Sequence, residues 1–163
     1  MKKTLLASLA LLALAGCGTQ SGNSLTADGQ TVRAKLTHAQ ALSRLQAAGI
    51  GISSSGNCSD RNNPRCTSLE QIRSETIDGI IAFKRSSGCP VTVTGGTETG
   101  HNSGTYSHWN GYKVDTGLTS CIGNYITGNY TYIGIRGDGA PQYRSPAGDI
   151  YAKESNHWDI LYY

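Results

Sequence analysis

Two stretches of this 163-residue chain bring together residue types that bind metal ions and move protons. In the first, Ser107-His108-Trp109-Asn110-Gly111-Tyr112-Lys113-Val114-Asp115, an imidazole and a carboxylate are separated by a glycine at which a turn can fold both toward one point. In the second, Glu154-Ser155-Asn156-His157, a carboxylate precedes another imidazole by one helical or turn repeat. Two neutral imidazoles and one carboxylate make a three-ligand zinc site that leaves a fourth position for water. A further carboxylate outside that set can take the water's proton.

The order S-H-x-x-G-x-x-x-D, followed later by E-x-x-H, resembles the zinc D-Ala-D-Ala carboxypeptidases and their relatives, among them the L-alanyl-D-glutamate endolysins of phages and the hedgehog amino-terminal domain. The likeness runs from Ser68 to Trp158 and includes the lead-in: a helix to Ser87, then Gly88-Cys89-Pro90, then a strand. It implies that His108, Asp115 and His157 bind Zn2+ and that Glu154 is the general base for peptide hydrolysis by metal-activated water. Family members commonly carry an arginine shortly after the first strand. Here Thr94 to His101 holds none, and Glu98 and His101 stand in its place as candidate substrate contacts, with Ser107 and Trp109 beside the first histidine. Lys113 occupies a position where the family usually has a small residue.

The function implied is a zinc metallopeptidase acting on peptidoglycan peptides of the cell wall, at a D-amino-acid-containing bond. The alternative is a non-catalytic, zinc-stabilised binding domain that recognises wall peptide or a surface partner. A third reading is a small disulfide-stapled surface lipoprotein whose histidines are incidental.

The amino terminus indicates the compartment. Lys2-Lys3 and the apolar run Thr4 to Ala13 form a leader too short to span a bilayer, which takes about 20 residues. Leu14-Ala15-Gly16-Cys17 resembles a bacterial lipobox, which implies cleavage after residue 16 and lipidation of Cys17. The expected organisation is therefore a signal peptide at 1–16, a lipidated cysteine and polar tether at 17–35, and one domain at 36–163. The protein would be anchored in the cell envelope through this lipid alone, facing the periplasm or exterior. Gly18, rather than an aspartate, favours the outer membrane in a Gram-negative host. The net charge of +3 includes Lys2 and Lys3, and no basic cluster remains that would neutralise several phosphates, so nucleic acid is not an expected partner. A monomer is expected.

With Cys17 assigned to lipid, Cys58, Cys66, Cys89 and Cys121 are left as an even set in an oxidising setting. Three pairings are possible; Cys58 with Cys66 and Cys89 with Cys121 close the loops of lowest entropic cost. No CxxC pair points to a cysteine zinc site.

Elements must then position the two motifs. Thr37-His38-Ala39-Gln40 reads as a capping box opening a helix with an apolar stripe of Ala41, Leu42, Leu45 and Ala48, ending at Gly49. His38 is expected on its solvated surface. Residues 53 to 65 read as a loop. Thr67-Ser68-Leu69-Glu70 reads as a second capping box, opening a helix that carries Leu69, Ile72, Thr76, Ile80 and Phe83 and stops at Gly88. Strands follow at 90–94, 112–115, 130–135, 149–153 and 157–162, separated by a polar loop at 97–110, a loop or short helix at 118–125, and a turn at Gly137-Asp138-Gly139. The class is α+β: N-terminal helices packed on a small antiparallel sheet that carries the zinc site.

Overall fold

Residues 34–163 are described by a computed structural model. The leader, Cys17 and most of the tether lie outside the described residues. Helix α1 (His38–Ala47) begins as its sequence dictates: Thr37 accepts from the Gln40 backbone N–H, and the Gln40 side chain accepts from the Thr37 N–H. A two-residue strand, β1 (Lys35–Leu36), precedes it, and β2 (Gly51–Ile52) follows the left-handed Gly49.

The second capping box does not form. The Thr67 hydroxyl donates instead to Ser53 O and Thr94 O, and the Ser68 N–H donates to Glu98. Those bonds stitch the segment to the end of a neighbouring strand. The chain then makes β3 (Ile72–Arg73), paired antiparallel with β1, before α2 (Ser74–Ser87) starts. Leu69 and Ile72 are buried as expected, but from outside the helix. Gly88 ends α2 in the left-handed conformation.

The remaining elements are β4 (Thr92–Gly95), β5 (Lys113–Gly117), α3 (Ser120–Asn129), β6 (Thr131–Ile135), β7 (Pro141–Arg144), β8 (Ile150–Lys153) and β9 (His157–Leu161). They build one sheet ordered β2-β4-β5-β9-β8-β7-β6, parallel only between β2 and β4. The class is α+β, but seven strands replace the small sheet expected. Strand β7 escapes notice in the sequence because Pro-Gln-Tyr-Arg has no apolar alternation; hydrogen bonding to β6 and β8 recruits it. Among the described residues no helix is long and apolar enough to cross a membrane.

One core unites the helices with the sheet. Ala41 and Leu45 of α1, Ile77, Ile80 and Phe83 of α2, and Ile122 and Ile126 of α3 cluster with Val93, Val114, Trp158 and Ile160. Gly79 of α2 lies flat on the Tyr162 ring, where a Cβ would overlap it. Two disulfides staple this arrangement, Cys58–Cys66 across the loop before β3 and Cys89–Cys121 between the end of α2 and the first turn of α3.

Candidate metal centre

Successive side chains of a strand point to opposite faces. Val114, Thr116, Trp158 and Ile160 take the core face of β5 and β9, so Lys113, Asp115, His157 and Asp159 share the other. Asp115 and Asp159 are directly paired across the two strands, and Gly117 pairs with His157. On the opposite side Asp115 pairs with Gly95 of β4, whose missing side chain leaves room for the Asp115 carboxylate; a Cβ there would overlap it.

The segment from Gly96 to Tyr112 doubles back over this polar face. Its return is a tight turn in which the Gly111 N–H donates to His108 O and the Ser107 hydroxyl accepts from the Asn110 N–H. Gly111 has a φ of 79° and packs so closely on the backbone of Gln71 to Arg73 that no side chain fits. This is the fold of His108 and Asp115 toward one point that their spacing suggested.

The Asp115 carboxylate is the centre of the site. Its Oδ1 lies 3.3 Å from His108 Nε2 and 3.6 Å from His157 Nε2, and its Oδ2 lies 3.9 Å from His101 Nδ1. The outer nitrogen of each ring faces an acceptor: His108 Nδ1 is 2.7 Å from Gly96 O, His101 Nε2 is 3.2 Å from Glu98 Oε1, and His157 Nδ1 is 2.7 Å from Asn156 Oδ1. An imidazole whose outer nitrogen is held by such an acceptor points its other nitrogen into the site, where, once it has lost its proton, it can bind a metal ion. His101 and His108 stack with ring centroids 3.8 Å apart. His101, His108 and Asp115 each offer a ligand atom within 4.8 Å of the others, so this cluster can hold a metal ion.

Electrostatics point the same way. Asp115 Oδ1 and Asp159 Oδ1 are buried and accept no hydrogen bond. Such atoms are costly unless a cation answers them. Four carboxylates, Glu98, Asp115, Glu154 and Asp159, face two fixed cations, Lys113 and Arg136. Lys113 Nζ and Arg136 Nη1 both donate to Asp159 Oδ2, at 2.7 and 2.6 Å, and Arg136 also grips Glu154 Oε1. Burial alone would lower the His108 pKa, yet Asp115 and Asp159 push it up to about 10. Burial would raise the Asp159 carboxyl, but His108 and Lys113 hold it far below the ordinary range. Both shifts express one demand for positive charge.

Not every expected site residue has the same surroundings. Glu154 stands at the rim, its Oε2 3.5 Å from His157 Nε2. Glu98 is buried, and its carboxylate accepts from the Ser68 and Gly96 N–H groups as well as facing His101. Against the burial that would raise it, these bonds hold its carboxyl below the usual value. Ser107 is buried and braces the turn; Trp109 is exposed, with the Arg61 guanidinium 3.6 Å over its ring. Glu98, His101, Ser107 and Trp109 line a pocket of about 300 Å³. A second pocket, of about 390 Å³, opens onto His108, His157, Glu154, Lys113 and Arg136. His101 lines both pockets.

His38 is half-buried rather than solvated, because its Nδ1 accepts the Leu69 N–H at 3.0 Å. Trp158 lies in the core, on the far face of the strand from the site.

Sequence reasoning missed Asp159 and Arg136. Asp159 had a signal: it lies two residues beyond His157 in a strand, hence on the same face. Arg136 had none, since only the β6–β7 hairpin carries it to the site. A search of family models, of curated proteins and of solved structures finds no match for this chain.

Proposed function

We propose that this protein is a zinc-dependent peptidase that cleaves cell-wall peptides at a D-amino-acid-containing bond, displayed from the envelope by a lipid on Cys17. The observation that carries the reading is the buried, unbonded Asp115 Oδ1 with two imidazole nitrogens, His108 Nε2 and His157 Nε2, beside it at 3.3 and 3.6 Å. Those three side chains come from the two motifs and are of the kinds zinc takes; the set whose ligand atoms all lie within 4.8 Å of one another is His101, His108 and Asp115, with His157 adjoining it at Asp115. The resemblance to the carboxypeptidase pattern supplies the substrate class.

A bound zinc ion would contribute Lewis acidity and water of lowered pKa. The chain does the rest. Glu154 Oε2, free of Arg136 and facing the site, is the carboxylate placed to accept a proton. Arg136 and Lys113 fix Asp159 at the pocket wall. The neighbouring pocket, with Trp109 at its edge, offers an apolar surface and backbone groups to an extended peptide.

One observation favours the second reading, a zinc-stabilised binding domain: the Arg136 clamp on Glu154 restrains the proposed base. A single experiment separates the two. Zinc-loaded protein incubated with purified muropeptides should release fragments detectable by mass. Glu154→Gln should retain zinc and lose activity by about 10²- to 10⁴-fold. Metal-loaded protein that leaves every muropeptide intact overturns the peptidase reading.

A further inference from the structure

The motifs supply three ligands, but the folded chain presents a fourth. We propose that a metal ion at this site is held by four protein side chains, His101, His108, His157 and Asp115, with Glu98 as the carboxylate that orients His101. This rests on the metal reading above and goes beyond its ligand set.

The geometry of His101 repeats that of the two motif histidines. Its outer nitrogen faces Glu98 Oε1 at 3.2 Å and its inner nitrogen faces Asp115 Oδ2 at 3.9 Å. A carboxylate behind a ligating histidine fixes its tautomer and raises its basicity. Glu98 is itself held in place, buried and bonded to two backbone N–H groups, so the His101 ring is aimed rather than free. Metal–nitrogen bonds of about 2.0–2.1 Å around a tetrahedral zinc put ligand atoms about 3.3 Å apart. The nitrogen–carboxylate separations are 3.3 and 3.6 Å to Asp115 Oδ1 and 3.9 Å to its Oδ2; His101, His108 and Asp115 offer ligand atoms within 4.8 Å of one another, and His157 joins them through Asp115 Oδ1. A substrate contact would call for a histidine turned outward to the pocket, whereas the inner nitrogen of His101 faces the Asp115 carboxylate. His101 borders both pockets, so a metal ion held there would be reached by water from either side.

The test uses the full-length protein loaded with Co2+, and Zn2+ in competition with a chromophoric chelator. Proton NMR of the Co2+ protein should show three strongly shifted, solvent-exchangeable imidazole N–H signals, one for each ligated ring. Two signals would overturn the four-ligand set. His101→Ala should weaken Zn2+ binding by about 100-fold and Glu98→Gln by about 10- to 100-fold, with the metal-free proteins melting at the parent temperature. If His101→Ala binds with parent affinity while His108→Ala does not, the site is the three-ligand one and this inference falls alone. If the parent takes up neither Co2+ nor Zn2+, the metal reading falls with it.

Discussion

The two faces of β5 and β9 are opposites built from alternate residues of the same strands. One face presents Val114, Trp158 and Ile160 to the helices, sealed from water. The other presents Asp115, His157 and Asp159 to a polar loop, with two buried oxygens that accept no hydrogen bond. The first face holds the fold together; the second stores unmet electrostatic demand. Their closeness explains how a polar cluster can stay rigid. Each charged residue has an immediate neighbour in the chain anchored in the core, so the carboxylates are held at positions they would not choose by themselves.

That division of labour predicts which substitutions separate the two faces. The largest effect belongs to the core. Trp158→Ala should cost about 3–5 kcal/mol of stability, read by urea unfolding, because it empties a fully buried site in the middle of the sheet. A loss below about 1 kcal/mol would mean that the core face is not the anchor described here.

Gly95→Ala should do the reverse. The backbone at Gly95 tolerates a side chain, but the new methyl group displaces the Asp115 carboxylate. Zinc affinity should drop by about 10- to 100-fold, comparable to the loss of an orienting contact, while the melting temperature of metal-free protein barely moves. Parent-like affinity would show that Asp115 is not at the centre of the site.

The smallest effect lies away from both faces, at His38. Burial lowers its pKa, and the nearby Glu70 carboxylate opposes but does not overcome that effect. The folded state therefore resists protonation of His38. Its contribution to stability is full above about pH 6.5 and declines as the pH falls below that value. Melting temperatures of the parent and His38→Gln, compared from pH 5 to 8, should converge at the acid end. Parallel curves would remove His38 from the account.

Much of this was legible in the sequence because it is local. The capping box of α1, the glycine that stops α2, the strand alternation around Val114 and Ile160, and the Cys58–Cys66 loop depend on neighbours a few residues apart. The second capping box failed because a competing set of partners, Ser53, Thr94 and Glu98, reaches Thr67 and Ser68 from elsewhere in the chain. His101 looked like a substitute for an absent arginine, a guess about substrate, since nothing near it in sequence reveals that its ring stacks on His108.

The sequence by itself determined the chemistry on offer: which imidazoles and carboxylates exist, and that Gly111 lets one pair close on itself. Only the tertiary structure decided which of them share a point in space. Pairing β5 with β9 set Asp115 opposite Asp159, and the β6–β7 hairpin delivered Arg136. Strand pairing and hairpin placement are set by the burial of the whole apolar face, a sum over many distant residues, and no short window of sequence contains that sum.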